Sequence, residues 1–246
     1  MRGIISAGAT RIGAIDALRG GALLLMIFYH CGFDLNYLGW IHYDINYDQR
    51  WLAARTLILG SFLGIVGVSL ALAEVQQINL RRKLLRIGKI VAAAGLVSVG
   101  SWLFLPGQTI YFGTLHAIAL MSLILQVQPL SAGLAGTLGV AAIALGNSLA
   151  HPVFDFPALA WLGLMTHKPL TADYVPMLPW FGVCLIGYAA AKAFIRRQRG
   201  AIMVTRQDYW PQFLMWLGRH SLAVYLLHQP LLLAILIPVT RLLQPA

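Results

Sequence analysis

Seven apolar runs of close to 20 residues restrict the fold of this chain more than any other feature of its sequence. They cover roughly residues 15–37, 52–75, 87–106, 109–127, 130–149, 174–195 and 213–240. A helix of about 20 apolar residues crosses the hydrocarbon core of a bilayer. Only 11% of the 246 residues are charged, whereas a soluble domain is about 25% charged. We therefore expect an all-α fold: a single integral membrane domain over residues 1–246, built as a polytopic transmembrane helix bundle of about seven spans.

Lysine and arginine are distributed unequally between the two sides of this predicted bundle. If the N-terminus is inside, the outer side holds four of the 18 cations, namely Arg50, Arg55, Lys168 and Arg241. The inner side holds the other fourteen, namely Arg2, Arg11, Arg19, Arg81, Arg82, Lys83, Arg86, Lys89, Lys192, Arg196, Arg197, Arg199, Arg206 and Arg219. Short loops rich in lysine and arginine stay in the cytoplasm. The sequence thus predicts a cytoplasmic N-terminus, and the net charge of +10 needs no nucleic-acid partner.

Two basic clusters, residues 81–83 and 196–199, are interpreted mainly as topology anchors. The alternative is contact with anionic lipid or with the phosphates of a cytosolic donor. Cys31 and Cys184 lie inside predicted helices without a CxxC or Cys-His spacing. Neither a disulfide framework nor a metal site is predicted.

The first apolar run contains four ionisable residues, Asp16, Arg19, His30 and Asp34. At about 100° per residue, all four fall on one face of a helix. A charge at the centre of a membrane helix costs about 2.5–3.5 kcal/mol on insertion scales, so such residues usually have a function. Asp34, one turn after His30, can hold one imidazole nitrogen and make the other a general base. Arg19 suits a phosphate or carboxylate, and its alternative role is an ion pair with Asp16.

Two later histidines, His116 and His228, lie in the fourth and seventh runs. Their predicted depths allow all three membrane histidines to face one cavity, although each could instead only hydrogen-bond between helices. His42 lies in the first outer loop, and Asp173 and Trp180 lie where another loop enters the sixth run. Both segments fit either a carbohydrate-binding lip or an aromatic interface belt.

Proline positions predict interruptions of the apolar runs. Pro176, Pro179 and Pro230 should kink or break helices. Residues 156–165, within a stretch too interrupted to span, predict a short re-entrant or interfacial helix on the outer side.

Four ordered motifs resemble those of a known family. They are residues 16–20 followed by His30 and Asp34, residues 115–120 around His116, residues 173–180, and residues 218–230. Together, over about residues 11–235, they resemble the bacterial membrane proteins grouped with the catalytic domain of heparan-alpha-glucosaminide N-acetyltransferase. The ten residues between Arg19 and His30 also resemble a signature of the acyltransferase type 3 membrane enzymes.

The resemblance implies an acyltransferase of the bacterial inner membrane. It would move an acetyl or other acyl group from cytosolic acyl-CoA to a hydroxyl or amine of a glycan or lipid-linked sugar outside. Asp16 and Arg19 would hold the donor, and His30 would be the base or transient acyl carrier. Asp34, His116 and His228 would complete the catalytic cavity, and the acceptor side would include Asp173, Trp180 and Tyr225.

The same residues also allow other interpretations. In the lysosomal enzyme of the family, the histidine thought essential lies in the first lumenal loop, which makes His42 the alternative to His30. A proton-coupled transporter of small solutes would use the same ionisable residues as a proton relay. A membrane subunit without catalysis would tolerate their substitution.

Overall fold

The computed structural model describes residues 12–45, 47–197 and 210–243. Within these ranges every regular element is helical, and no strand occurs. The α-helices are α1 (Gly13–Tyr37), α2 (Gln49–Val75), α3 (Leu80–Phe104), α4 (Thr114–Val127), α5 (Ala132–Ser148), α6 (Met177–Arg197), α7 (Gln212–Arg219) and α8 (Ser221–Leu243). Two 3-10 helices, Pro152–Asp155 and Pro157–Leu162, lie between α5 and α6. The expected all-α class is confirmed.

Five of these helices are long and apolar enough to cross a membrane, namely α1, α2, α3, α6 and α8. The chain is therefore an integral membrane protein by the length and composition of its helices. The predicted fourth and fifth spans form shorter apolar helices, α4 with 14 residues and α5 with 17. The fourth is short because residues 109–113 are not helical. Ile110 instead hydrogen-bonds through its backbone to Ser98 and Ser101 of α3.

The other predicted boundaries need three corrections. The run at 213–240 is two helices, because α7 ends at Arg219 and α8 begins at Ser221. The expected helix at 156–165 is a 3-10 helix over Pro157–Leu162. Pro230 does not break α8, which continues through it. A break does occur beside Pro179, since Leu178 has non-helical backbone angles in the first turn of α6.

Helix α6 lies at the centre of the bundle and packs against α2, α4 and α5. Glycine makes the closest of these contacts possible. A Cβ atom at Gly67 of α2 would overlap the carbonyl oxygen of Cys184 on α6, and one at Gly187 would overlap the Gly64 carbonyl. Such close approach of backbones maximises packing contact between helices in a bilayer.

The two ends of the bundle differ in charge. We call the end that contains the α2–α3 turn and the last turn of α6 the basic end, and the end that contains segments 38–48, 105–113 and 149–176 the loop end. Ten of the fourteen lysines and arginines in the described ranges belong to the basic end. Arg2, Arg11, Arg199 and Arg206, which were also predicted for that side, lie outside the described residues.

Candidate functional site

Two histidines from helices α1 and α8 meet face to edge. The ring centroids of His30 and His228 are 4.9 Å apart, with an angle of 74° between the ring planes. The Nδ1 of His30 lies 2.9 Å from the Met26 carbonyl, and the Nδ1 of His228 lies 2.6 Å from the Tyr225 carbonyl. A carbonyl oxygen only accepts hydrogen bonds, so each Nδ1 carries the proton. In the neutral ring Nε2 then holds a lone pair, and this is the form of imidazole that acts as a base or nucleophile.

Asp34 lies beside this pair but is not bound by an imidazole. The Nε2–H of Gln229 on α8 donates to Asp34 Oδ1 at 2.7 Å, across 195 residues of sequence. The Asp34 side chain is buried, with the residue only 2% exposed. The sequence-based interpretation paired Asp34 with His30, but the carboxylate binds Gln229 and the His30 Nδ1 binds backbone. We call His30, Asp34, His228 and Gln229 the paired-histidine cluster.

The paired-histidine cluster contains unsatisfied acceptors. Asp34 Oδ2, His228 Nε2 and Gln229 Oε1 are buried without a hydrogen-bond partner, and they make up three of the five such side-chain atoms in the described part of the chain. Buried polar atoms in proteins are nearly always hydrogen-bonded, so a group of unsatisfied ones indicates a functional site. Because all three are acceptors, the complementary ligand is a hydrogen-bond donor such as a hydroxyl or an amine.

Tyr225 connects this cluster to the loop end. Its ring lies 5.7 Å from the His228 ring, and its hydroxyl donates to Asp173 Oδ2 at 3.4 Å. Asp173 also accepts from the backbone amide of Thr114, at 2.7 Å, and so caps the N-terminus of α4. Tyr225 thus joins the paired-histidine cluster, through Asp173, to the N-terminus of α4.

His116 is not part of the paired-histidine cluster. The backbone amide of Gly113 donates to its Nδ1 at 3.3 Å, so its proton is on Nε2. That Nε2–H faces Ser98 Oγ at 3.2 Å, and the Ser98 hydroxyl donates to the Ile110 carbonyl at 2.6 Å. Both ring nitrogens are thus used to hold the start of α4 against α3. This arrangement supports the structural interpretation of His116 rather than the catalytic one.

Two other predicted residues also lie apart from the cluster. Trp180 is partly buried and packs on the hydrophobic core around α6. His42 is exposed in the 38–48 segment. That segment is attached to α8 through a hydrogen bond from Trp40 Nε1 to Thr240 Oγ1 at 2.8 Å.

Asp16 and Arg19 form an ion pair at the basic end, with Arg19 Nη1 3.4 Å from Asp16 Oδ1. Arg19 also donates to Ser69 Oγ on α2 at 2.6 Å and to the Gly218 carbonyl on α7 at 3.5 Å. A second arginine, Arg219, reaches Asp16 Oδ2 at 3.5 Å. The ion pair between Asp16 and Arg19 was one of the two interpretations of the sequence, and here it joins three helices. Two guanidinium groups around one carboxylate leave a net positive charge.

A second polar group at the basic end was not anticipated from the sequence. Lys192 Nζ lies 2.8 Å from Glu74 Oε1 and donates to the Leu130 carbonyl at 2.7 Å, and the Tyr188 hydroxyl donates to the other Glu74 oxygen. Two features of the sequence indicate part of this group: Glu74 interrupts an apolar run, and Tyr188 and Lys192 are one turn apart on a helix. This group ties α2, α6 and the α4–α5 turn together.

The 163–176 segment brings a cation towards Asp173. Burial lowers the pKa of Lys168, the Arg55 guanidinium lowers it further, and the Asp173 carboxylate opposes both. The Lys168 ammonium and the Asp173 carboxylate are thus close enough to interact. Among the residues that the structure describes, no three His, Cys, Asp or Glu side chains are grouped as metal ligands.

The chain matches a known protein family. The family model described as heparan-alpha-glucosaminide N-acetyltransferase, catalytic, matches residues 11–230, which extend from before α1 to Pro230 within α8. The match includes every residue of the paired-histidine cluster. No curated protein and no solved structure matches the chain.

Proposed function

Because the chain belongs to the family of the heparan-alpha-glucosaminide N-acetyltransferase catalytic domain, we propose that this acetyltransferase-like membrane protein transfers an acetyl or other acyl group from acyl-CoA to a glycan or lipid-linked sugar. The observation that carries the proposal is the paired-histidine cluster, in which His30 is grouped with three unsatisfied acceptors, one of them the His228 Nε2. Acyl transfer requires a base for an incoming hydroxyl or amine, or a nucleophile that carries the acyl group.

His30 is the proposed base. Its Nε2 takes the proton of the acceptor hydroxyl or amine while the acceptor oxygen or nitrogen attacks the thioester carbonyl. The new C–O or C–N bond forms, the C–S bond breaks, and the CoA thiolate leaves. In the alternative route the His30 Nε2 attacks first and carries the acyl group until the acceptor takes it.

His228, Asp34 and Gln229 would orient the acceptor. The acceptor's hydroxyl or amine donates to the unsatisfied atoms of these side chains, and each hydrogen bond to a buried acceptor offsets its cost of burial. The edge-to-face contact between His228 and His30 fixes the plane of the His30 ring. His116 and Trp180 support the surrounding helices.

The donor is proposed to enter from the basic end, with that end and the N-terminus in the cytoplasm of a bacterial inner membrane. The excess of lysine and arginine there attracts the phosphates of CoA. Arg19 and Asp16 hold α1 against α2 and α7 at this entrance, and the net positive charge of their cluster assists donor binding.

The test compares two single variants of the purified full chain, His30→Ala and His42→Ala. Release of CoA from acetyl-CoA is measured with and without an added amino sugar or polyol. General base catalysis contributes about 10²–10⁴-fold, so His30→Ala is expected to lower the rate by at least about a hundredfold. His42→Ala is the matched control and should keep the wild-type rate.

An unchanged rate in His30→Ala, or a loss confined to His42→Ala, would contradict the role of His30. Proton-coupled solute uptake into liposomes without any acetyl-CoA turnover would instead identify a transporter.

A further inference from the structure

A groove runs beside the paired-histidine cluster on the outer surface of helices α1 and α2. It has a volume of about 390 Å³ and is lined by Leu25, Phe28, Tyr29, Arg50, Ala54 and Ile58, together with Trp51. Small-molecule sites in proteins usually measure about 300–1,000 Å³. The groove is therefore large enough to hold a substantial part of a ligand.

Tyr29 lines the groove and directly precedes His30 in α1. Its ring packs edge-on against His30 at 5.9 Å and against Trp51 at 5.3 Å. Trp51 in turn lies over Gly32 so closely that any Cβ at that position would have to displace the indole. A ligand in the groove would thus lie one aromatic ring away from His30.

The groove opens to the bilayer. Leu25 is 56% exposed and Phe28 is 65% exposed, and both belong to a helix long enough to span the membrane. Exposed apolar side chains on such a helix contact lipid chains, so a hydrocarbon chain can enter the groove from the side. A soluble glycan would lose its hydration against the apolar side chains of this lining.

One cation is placed where the groove meets the loop end. Arg50 is the second residue of α2 and lines the groove. Only four of the 18 lysines and arginines were assigned to this side of the protein, so a cation at this position is unusual. A guanidinium at the edge of an apolar groove is complementary to a phosphate carried on a hydrocarbon chain.

We infer that the groove between α1 and α2 binds a phosphate-bearing lipid that delivers the acceptor sugar to His30. The lipid chain lies along Leu25, Phe28, Ala54 and Ile58, and Arg50 holds its phosphate. The sugar beyond the phosphate reaches the unsatisfied acceptors of the paired-histidine cluster. This inference rests on the proposed acyl transfer, and it names the class of acceptor as a sugar on an anionic lipid.

The test measures binding of undecaprenyl phosphate to the full chain in detergent by native mass spectrometry. Ala54→Phe fills the groove and Arg50→Gln removes its cation. Each variant is expected to weaken binding about tenfold, because Arg50→Gln loses one charge-assisted contact and Ala54→Phe loses the space for the lipid chain. The matched controls are Ala141→Phe on α5 and Arg241→Gln on α8, which are exposed and outside the groove and should bind as the wild type does. Circular dichroism and thermal unfolding verify that each variant is folded.

Three results would overturn the inference. The first is equal binding by Ala54→Phe, Arg50→Gln and their controls. The second is equal binding of phosphatidylcholine, which would mean a non-specific lipid surface. The third is displacement of the lipid by inorganic phosphate, which would mean a site for free phosphate.

His30→Ala should still bind the lipid. If His30→Ala keeps its activity while the groove variants lose binding, the proposed catalysis fails and the lipid site stands.

Discussion

At the scale of single residues, the protonation of three histidines separates their roles. Backbone carbonyls hold the proton on Nδ1 of His30 and His228, whereas a backbone amide holds it on Nε2 of His116. The first two rings offer Nε2 lone pairs within one cluster, and the third is fully used by Gly113 and Ser98. The tautomer set by the backbone therefore decides which imidazole is available for chemistry.

Gln229→Leu tests the bond that joins α8 to α1 in this cluster. The variant removes the donor to Asp34 Oδ1 and leaves both carboxylate oxygens buried without a partner. We expect it to cost about 1–3 kcal/mol of stability, the penalty for an unsatisfied buried group. Thermal unfolding in detergent measures the loss.

Gln126→Leu is the matched control for Gln229→Leu. The Oε1 of Gln126 is another buried acceptor without a partner, so its removal should leave stability unchanged or raise it. Equal effects of the two variants would mean that the contact between Gln229 and Asp34 does not stabilise the fold.

Residues of this cluster could be predicted from the sequence, but their hydrogen-bond partners could not. His30 and Asp34 are one turn apart on an apolar helix, which is a local signal. The partner of Asp34 comes from Gln229, 195 residues away. Spacing along a helix cannot reveal which side chain of another helix reaches a carboxylate, because that depends on how the helices pack.

At the scale of helices, glycine positions determine how closely α2 and α6 approach. Gly67→Ala would push its new methyl group into the Cys184 carbonyl, whereas a Cβ at Gly60 on the same helix meets nothing within 4 Å. Overpacking of this kind costs about 1–3 kcal/mol. We expect Gly67→Ala to lower the thermal unfolding temperature.

Gly60→Ala is the matched control on α2. Alanine in an exposed helix is about 0.5–1 kcal/mol more favourable than glycine, so this variant should be neutral or slightly stabilising. If Gly67→Ala also proved neutral, the close contact between α2 and α6 would be excluded.

The elements that hydropathy misjudged are those shaped by distant contacts. The apolar run at 109–127 predicted a full span, but the helix starts only at Thr114, where Asp173 caps it from 59 residues away. Likewise, the run at 213–240 divides after Arg219, where Gly218 packs against the backbone of Asp16. Hydropathy reports only that a segment is apolar, and tertiary contacts decide where its helices begin and end.

At the scale of the whole molecule, polar groups extend through an otherwise apolar bundle. Asp16 and Arg19 lie at the basic end, the paired-histidine cluster lies further along α1 and α8, and Tyr225 joins that cluster to Asp173. This arrangement supports a path on which a donor from one side meets an acceptor from the other at His30.

The most direct test of this account is an experimental structure of the full chain with CoA bound, in which the position of the CoA sulfur is measured. Reacting atoms in a productive complex lie about 3–3.5 Å apart. We predict that the sulfur lies within about 4 Å of the His30 Nε2, or of the position that an acceptor atom in contact with that Nε2 would occupy. The phosphates should lie at the basic end. A sulfur beside His42 in the 38–48 segment, or CoA bound away from the paired-histidine cluster, would contradict the assignment of His30.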